Sequence, residues 1–470
     1  MNQTIDEHLR LALEQQRAAF AAEPLPTLRS RRDRLQRIRA MTERHAEDLV
    51  AAIAQDFGHR ARQETLLADL FTVQSAARHA LRHLHGWMKP RRVPTALHFL
   101  PARNRLLRQP LGVVGVVSPW NYPYNLALCP AVAALAAGNR VMIKPSELTP
   151  ATSALMARMV SEHFAADEMQ VVTGDAAVGR AFTALPFDHL FFTGSTAVGR
   201  EVAQAAARKL TPVTLELGGK SPALIDRSAE LALSAERLAF GKLLNAGQTC
   251  VAPDYALVPR EMVEPLTQAV VQAVQRLYPT LTGNPDYSSI VAPRHLARLQ
   301  GLLADAQAKG ARLIATHEET PGGRTLVPHL LLDVHDEMDV MREEIFGPLL
   351  PIVAYDSVDE ALAYIRRHER PLALYWFGRD RHAQRYALEH THSGGVTVND
   401  CIWHLGQEDQ PFGGVGASGM GAYHGEWGFR TFSKEKPVFQ QSRWAGTRLF
   451  HPPYGRGFDR LLGLLKKLAG

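Results

Sequence analysis

Three side chains in this sequence have the makings of a reaction centre if the fold brings them together. Cys250 stands in LLNAGQTCVAP, just after a Gly-Gln-Thr run. A thiol packs well in a core, and as a thiolate it is a nucleophile, so the residue alone leaves both readings open. Glu216, in TLELGGKSP, closes an apolar run and precedes two glycines. A carboxylate so placed can reach into a cleft and take a proton from water; the alternative is a solvated loop acid. Glu216 lies about one strand–helix unit ahead of Cys250, so one cleft can hold both. Asn121, in SPWNYPYN, sits among prolines and aromatics after a β-branched run. Its amide suits a developing oxyanion, or equally an Asx-turn.

Two further stretches suit a phosphorylated ligand. In HLFFTGSTAVGREVAQAAA, Gly194 and Gly199 bracket a turn, and Ser195 or Thr196 can cap the helix that follows. A glycine-containing turn feeding a helix N-terminus is a ready anion site. The spacing is not G-x-G-x-x-G, so an ordinary strand–helix turn explains it as well. In VMIKPSE, Lys144 and Glu147 follow a buried-looking strand. Glu147 is able to bond a ribose diol and would repel a 2′-phosphate; a surface ion pair is the alternative.

These residues need elements to position them. Residues 4–85 have apolar positions at three- and four-residue spacing, predicting long amphipathic helices with Gly58 as a stop. Residues 87–110, rich in proline and arginine around short β-like runs, predict an extended arm or a linker. From LGVVGVVSP onward, strands alternate with helices. One helix is ALCPAVAALAAG, ending at Gly138, and another is TPATSALMARMV, with Thr149 as N-cap and Pro150 at the first helical position. A second alternating series begins near residue 220 with PALIDRS, YALVPR, HLLLDV, LLPIVAYDS, LALYWFG and GGVTVND. The pattern predicts doubly wound, mostly parallel α/β architecture in two domains. FDRLLGLLKKLAG, at the end, predicts a short basic amphipathic helix.

The bulk numbers narrow the class. A chain of 470 residues exceeds one simple core. Its 53 Lys and Arg against 47 Asp and Glu leave +6, with no concentrated basic stripe, which argues against nucleic acid. Cys129, Cys250 and Cys401 show neither metal-ligand nor disulfide spacing, so no metal is expected and a reducing cytoplasm is. The first residues lack the apolar run of a signal peptide, and no stretch is apolar for long enough to span a bilayer.

Taken together, SPWNYPYN, KPSE, FFTGSTAVGR, LELGGKSP, NAGQTC, EEIFGP and PFGGVGASGMG occur in the order and spacing of the aldehyde dehydrogenase superfamily, which the chain resembles from roughly residue 30 to 440. GQTCVAPDY and the HPPYG tail are similar to the class 3 branch. NDCIWHLGQEDQPFGGVGASGMGAYHGEWGFRTFSKEKPV is similar to bacterial coniferyl aldehyde dehydrogenases. The resemblance implies an α/β fold with a Rossmann-like cofactor domain (1–86 and 109–217), an α/β catalytic domain (218–400) and a small β oligomerisation arm. Residues 87–108 and 401–470 would supply the arm, a loop flanking the site and the tail.

It also implies roles. Cys250 would attack an aldehyde to form a thiohemiacetal, with the Asn121 amide and the Cys250 N–H holding the oxyanion. Glu216 would activate water against the thioester. Lys144 and Glu147 would meet the adenosine ribose of NAD, with NADP also admitted. Gly194, Ser195, Thr196 and Gly199 would meet the pyrophosphate, and Glu344 and Phe346 the nicotinamide end. Cys129 and Cys401 read as structural thiols. Expected substrates are coniferyl-type aromatic or medium- to long-chain aliphatic aldehydes. A homodimer is expected, with the C-terminal helix packed on the partner in preference to a membrane. The competing readings are a CoA-acylating aldehyde dehydrogenase, which needs no activating glutamate, and a non-catalytic scaffold that kept the fold.

Overall fold

The computed structural model describes residues 2–469, with side chains from 6 to 467. Its six-stranded sheet is built outward from Val113–Val117. Arg140–Lys144 and then Met169–Val171 lie on one side of that strand; His189–Thr193 and then Val213–Glu216 lie on the other, all parallel. Gly419–Met420 closes the far edge antiparallel to Val213–Glu216. These strands read as near-continuous apolar runs because helices cover both faces. Val113, Val114, Val141, Ile143, Leu190 and Phe191 are all completely buried.

The direction of strand addition reverses at Val113–Val117. At such a reversal the flanking helices part and a crevice opens outside the carboxyl ends of the strands. Lys144 and Glu216 are the last residues of their strands, and Asn121, Glu147 and the Gly194–Thr196 turn follow closely after theirs. Four motifs far apart in sequence thus share one edge of one sheet.

The helix Asn125–Ala137 packs beneath this edge. Every residue from Ala127 to Ala137 is buried, as expected of a helix that is apolar all round. Its alanines let the helices Leu28–Arg44 and Thr72–Trp87 approach closely. It ends where the sequence predicts, at Gly138, whose φ of 98° is left-handed. The predicted stop at Gly58 likewise caps Ala46–Phe57. Thr149 precedes Pro150–His163 as predicted, but its side chain makes no cap bond. The open N–H groups of Ala151 and Thr152 donate instead to Asp56, at 2.9 and 2.8 Å. A carboxylate from another helix satisfies two donors at once and meets the positive end of the helix dipole.

The second sheet has seven strands, in the order Arg312–Ala315, His329–Leu332, Leu349–Tyr355, Tyr255–Pro259, Pro222–Ile225, Ala373–Phe377 and Gly395–Val398. All pairs are parallel except the first. Cys250 precedes Tyr255–Pro259, and Glu344 and Phe346 precede Leu349–Tyr355. The amino edge of this sheet therefore meets the carboxyl edge of the first, and the crevice lies between them.

The predicted arm forms a separate antiparallel sheet of Arg91–Val93, Arg103–Pro110 and Ser433–Gln440. The C-terminal helix Arg456–Ala469 is present, and its Leu461 and Leu465 share a groove with Leu97, Leu449 and Phe450 of the arm region. No described helix is long and apolar enough to cross a membrane.

Candidate active site

The cysteine loop is rigid on both sides of the thiol. After the helix Leu231–Leu243 the chain turns through Asn245, Ala246 and Gly247, all left-handed with φ of 53°, 51° and 77°. Two successive non-glycine residues in that region are strained, so tertiary bonds must hold them. Those bonds converge on Gln248, which is fully buried. Its amide donates to the carbonyls of Asn245 and Ser289, both at 3.0 Å, and accepts the Val291 N–H at 2.9 Å. Glu64 accepts the Asn245 N–H at 3.0 Å. The Thr249 and Tyr122 hydroxyls meet at 2.6 Å, and the Tyr375 hydroxyl donates to the Val251 carbonyl. Cys250 is only partly buried; Cys401 is fully enclosed in packing, and Cys129 is buried at the wall of the cavity described below.

Asn121 crosses from the other sheet. Its Nδ2 donates to the Gln248 carbonyl at 3.0 Å, and its own carbonyl accepts from Asn245 and Arg60, each at 3.0 Å. Arg60 and Asp69 form a wholly buried ion pair at 3.1 Å. Asp69 also accepts the backbone N–H groups of Tyr124 and Asn125, each at 3.1 Å. The pair therefore clamps the loop that carries Asn121. The amide has two N–H donors and spends one on Gln248.

Glu216 and Glu344 complete the crevice. Both Glu216 oxygens are buried without a hydrogen-bond partner, as is Oε1 of Glu344. Burial pushes Glu216 well above the usual carboxylate range and Glu344 up to about 8, the latter helped by the charge of Asp254. Both act on the thiol. Burial first, then Glu344 and Glu216, raise Cys250 to about 12, against donation from the N–H groups of Cys250 and Val251. Glu344 reaches its place because residue 218 is glycine: a Cβ there would collide with both carboxylate oxygens. Phe346 has a left-handed φ of 51° and meets Trp120 edge to face at 5.4 Å.

The remaining residues of the sheet edge are spread along it. Lys144 is buried and donates to the Pro145 carbonyl at 2.7 Å; burial lowers it, against the charges of Glu147 and Asp175. Glu147 itself is exposed. Ser195 caps Thr196–Ala207 by accepting the Val198 N–H at 3.4 Å. Thr196 donates to the Ala417 carbonyl at 3.1 Å. Gly199 faces Leu217, which a Cβ would strike. A crevice with a capped helix N-terminus at one end and an orphaned buried carboxylate oxygen at the other suits an elongated, diol-bearing dinucleotide.

The thiol opens on its other side into a cavity of about 260 Å³. Phe71, Phe240, Trp403, Phe412, Tyr122 and Tyr423 give the walls their aromatic character. Phe240 and Trp403 stack at 5.9 Å.

A doubly wound sheet facing a second α/β sheet, with a cysteine in the crevice between them, defines a class of two-sheet oxidoreductases. The aldehyde dehydrogenase family matches residues 2–438, and the chain belongs to that family. It is an enzyme that oxidises aldehydes with a nicotinamide cofactor. The chain is 50% identical over 454 residues to the Pseudomonas aeruginosa protein named "Probable coniferyl aldehyde dehydrogenase", covering 97% of this chain and 95% of that one. It is 46% identical to the coniferyl aldehyde dehydrogenase of a Pseudomonas species, over 98% of this chain and 96% of that one. A solved structure described as the substrate-bound state of Staphylococcus aureus AldH superposes with a TM-score of 0.92 at 35% identity, covering 97% of this chain and 99% of that one.

Several residues of the site escape sequence reasoning. Arg60, Asp69 and Glu64 lie in a stretch that reads only as an amphipathic helix; its π-helical turn, Thr65–Phe71, has no signature at that resolution. Gln248 stands beside Cys250 in a quoted motif, but its bonding partners come from distant segments.

Proposed function

We propose that Cys250 is the nucleophile, that Asn121 and the Cys250 N–H hold the oxyanion, and that Glu216 is the base for hydrolysis. The observation that carries this reading is the Asn121 amide bonded two residues before a thiol that opens on an apolar cavity. The Cys250 sulfur attacks the carbonyl carbon of the aldehyde, and its proton passes to a nearby base. The substrate oxygen then meets the spare Asn121 N–H and the Cys250 backbone N–H, donors held before charge develops. The nicotinamide cofactor, when bound, supplies the two-electron oxidation that makes the thiohemiacetal a thioester. In its ionised form Glu216 takes a proton from water, whose oxygen attacks the thioester carbon; the bond to sulfur breaks, the thiolate regains a proton and the acid leaves. A buried carboxyl with a raised pKa is suited to trading protons in this way. An acylating enzyme would have no use for Glu216.

Glu344 and Phe346 would hold the nicotinamide end, Gly194, Ser195, Thr196 and Gly199 the pyrophosphate, and Lys144 with Glu147 the adenosine ribose. The charges of Glu147 and Asp175 near Lys144 support NAD over NADP. The first sheet with the N-terminal helices forms the cofactor domain, the second sheet the catalytic domain, and the β arm pairs subunits of a homodimer in the cytoplasm. Exposed Leu97, Trp444 and Leu449 on and beside the arm support that pairing.

The aromatic cavity walls and the names of the relatives support a coniferyl-type aromatic aldehyde as substrate. The test is kcat/KM for coniferyl aldehyde and decanal, each with NAD+ and NADP+, followed by absorbance of the reduced cofactor. A higher value for coniferyl aldehyde with NAD+ is expected. A higher value for decanal would make this an aliphatic-aldehyde enzyme, and a preference for NADP+ would overturn the charge argument at Glu147.

A further inference from the structure

The cavity in front of Cys250 is mainly apolar, with Thr72, Ser75, Asn125 and Gln407 among its polar side chains and one acid. Among the side chains that line it, Glu408 is the single carboxylate. It follows the one-turn helix Trp403–Gly406, in the loop that forms one wall. Its Oε2 accepts the Gly425 N–H at 3.2 Å, and its Oε1 has no partner among the described residues. No cation answers it: the histidine beside it in the wall, His424, is partly buried, stacked on Phe412 at 5.3 Å, and held neutral by burial, with a pKa of about 4. Burial pushes Glu408 up to about 7, a sign that its carboxylate is short of donors.

The position of Glu408 is as telling as its charge. It also lines a second, smaller cavity with Trp87, Ala133 and His424, to which residues 249–251 contribute nothing. Glu408 therefore stands where the two cavities adjoin, beside Cys129, Tyr423 and His424. Neither attack by Cys250 nor hydrolysis by Glu216 has a use for it. A half-buried acid in an aromatic wall costs stability unless a ligand satisfies it.

We propose that Glu408 accepts a hydrogen bond from a ring hydroxyl of the substrate, making its part of the cavity wall a phenol subsite. This rests on the aromatic reading of the substrate given above. An aldehyde held with its carbonyl at Cys250 and a hydroxyl on the opposite side of its ring would bring the carboxylate a donor within the same cavity. An aliphatic chain, or a ring capped by a methyl ether, leaves the carboxylate desolvated and unpaired. Sites built to bond a hydroxyl reject analogues lacking it far more strongly than apolar pockets reject a missing methylene.

The experiment compares coniferyl aldehyde, its 4-O-methyl ether and cinnamaldehyde as substrates of the wild type, Glu408→Gln and Glu408→Leu. The wild type should favour coniferyl aldehyde over the methyl ether by roughly 10- to 100-fold in kcat/KM, chiefly through KM. Glu408→Leu should collapse that ratio to within about threefold. Glu408→Gln, which keeps an acceptor, should retain part of it. Because the readout is a ratio between substrates of one protein sample, partial misfolding cancels. The phenol subsite is overturned if Glu408→Leu lowers all three substrates equally, or if the wild type does not discriminate among them. If the wild type oxidises decanal and none of the aromatic aldehydes, the aromatic reading falls as well. If coniferyl aldehyde is oxidised and the ratio survives in Glu408→Leu, the subsite alone falls.

Discussion

The two sides of the Cys250 thiol are built on opposite principles. The crevice side holds Glu216, fully buried with both oxygens orphaned, and the partly buried Glu344 with one, beside a network of fixed backbone donors. The cavity side is aromatic and apolar, with Glu408 as its lone acid. Burial first, and then the charges of Glu344 and Glu216 on the crevice side, raise the sulfur to about 12. Charge on the cavity side is remote from the sulfur and can only select what enters. The difference teaches that chemistry and selectivity are separable here, and substitutions on the two sides should fail in different ways.

The largest effect should come at the point the two sides share. Cys250→Ala removes the nucleophile, and kcat/KM should fall by at least about 10⁴-fold, as when other covalent catalysts lose theirs. Cofactor affinity, read by fluorescence titration, should stay within about threefold, since the thiol is one small contact in a large site. Substantial residual turnover would remove Cys250 from the centre of the mechanism.

Next in size is the crevice side alone. Glu216→Gln keeps the shape and loses the base, so kcat should drop by about 10²–10³-fold. Oxidation would then outrun hydrolysis. Intact-protein mass spectrometry during turnover should show an adduct of the acyl group on Cys250. If kcat drops without such an adduct, Glu216 acts before the thioester and the hydrolytic role is wrong.

This asymmetry also decides what could be read from the sequence. The strands were legible because parallel strands covered on both faces are apolar runs, as in LGVVGVVSP and HLFFTGS. Cys250, Asn121 and Glu216 stand out in the sequence because each lies in a motif of the family the chain resembles, NAGQTC, SPWNYPYN and LELGGKSP. Their setting was not legible. The Arg60–Asp69 clamp joins a helix to the Asn121 loop, and the contact of Gly218 with Glu344 joins residues from two segments of the chain. Such pairs have no local periodicity to betray them. The Pro150 helix makes the point in miniature, since Thr149 has the right type and place but Asp56, from another helix, does the capping. Glu408 was hidden for the same reason, because GQEDQ reads as a solvated loop until the fold turns it into an aromatic wall.

The smallest predicted effect separates stability from catalysis on the crevice side. Glu344 titrates near 8 in the folded protein, against an ordinary value of 4.5. Below the ordinary value both folded and unfolded chains hold the proton, and burial of this carboxyl carries no pH-dependent penalty. Between the two values the unfolded chain releases the proton while the folded one keeps it, so stability falls as pH rises. Above about 8 the loss is complete and constant. Glu344→Gln should therefore match the wild type near pH 5 and exceed its melting temperature by a few degrees at pH 9, at the size expected for a chain this long. The same substitution removes the charge that, after burial, raises the sulfur most, so alkylation of Cys250 by iodoacetamide should reach its half-maximal rate at lower pH. A melting difference that stayed flat with pH would mean that Glu344 is ionised in the folded protein, and Glu216 would then be the sole neutral acid of the crevice.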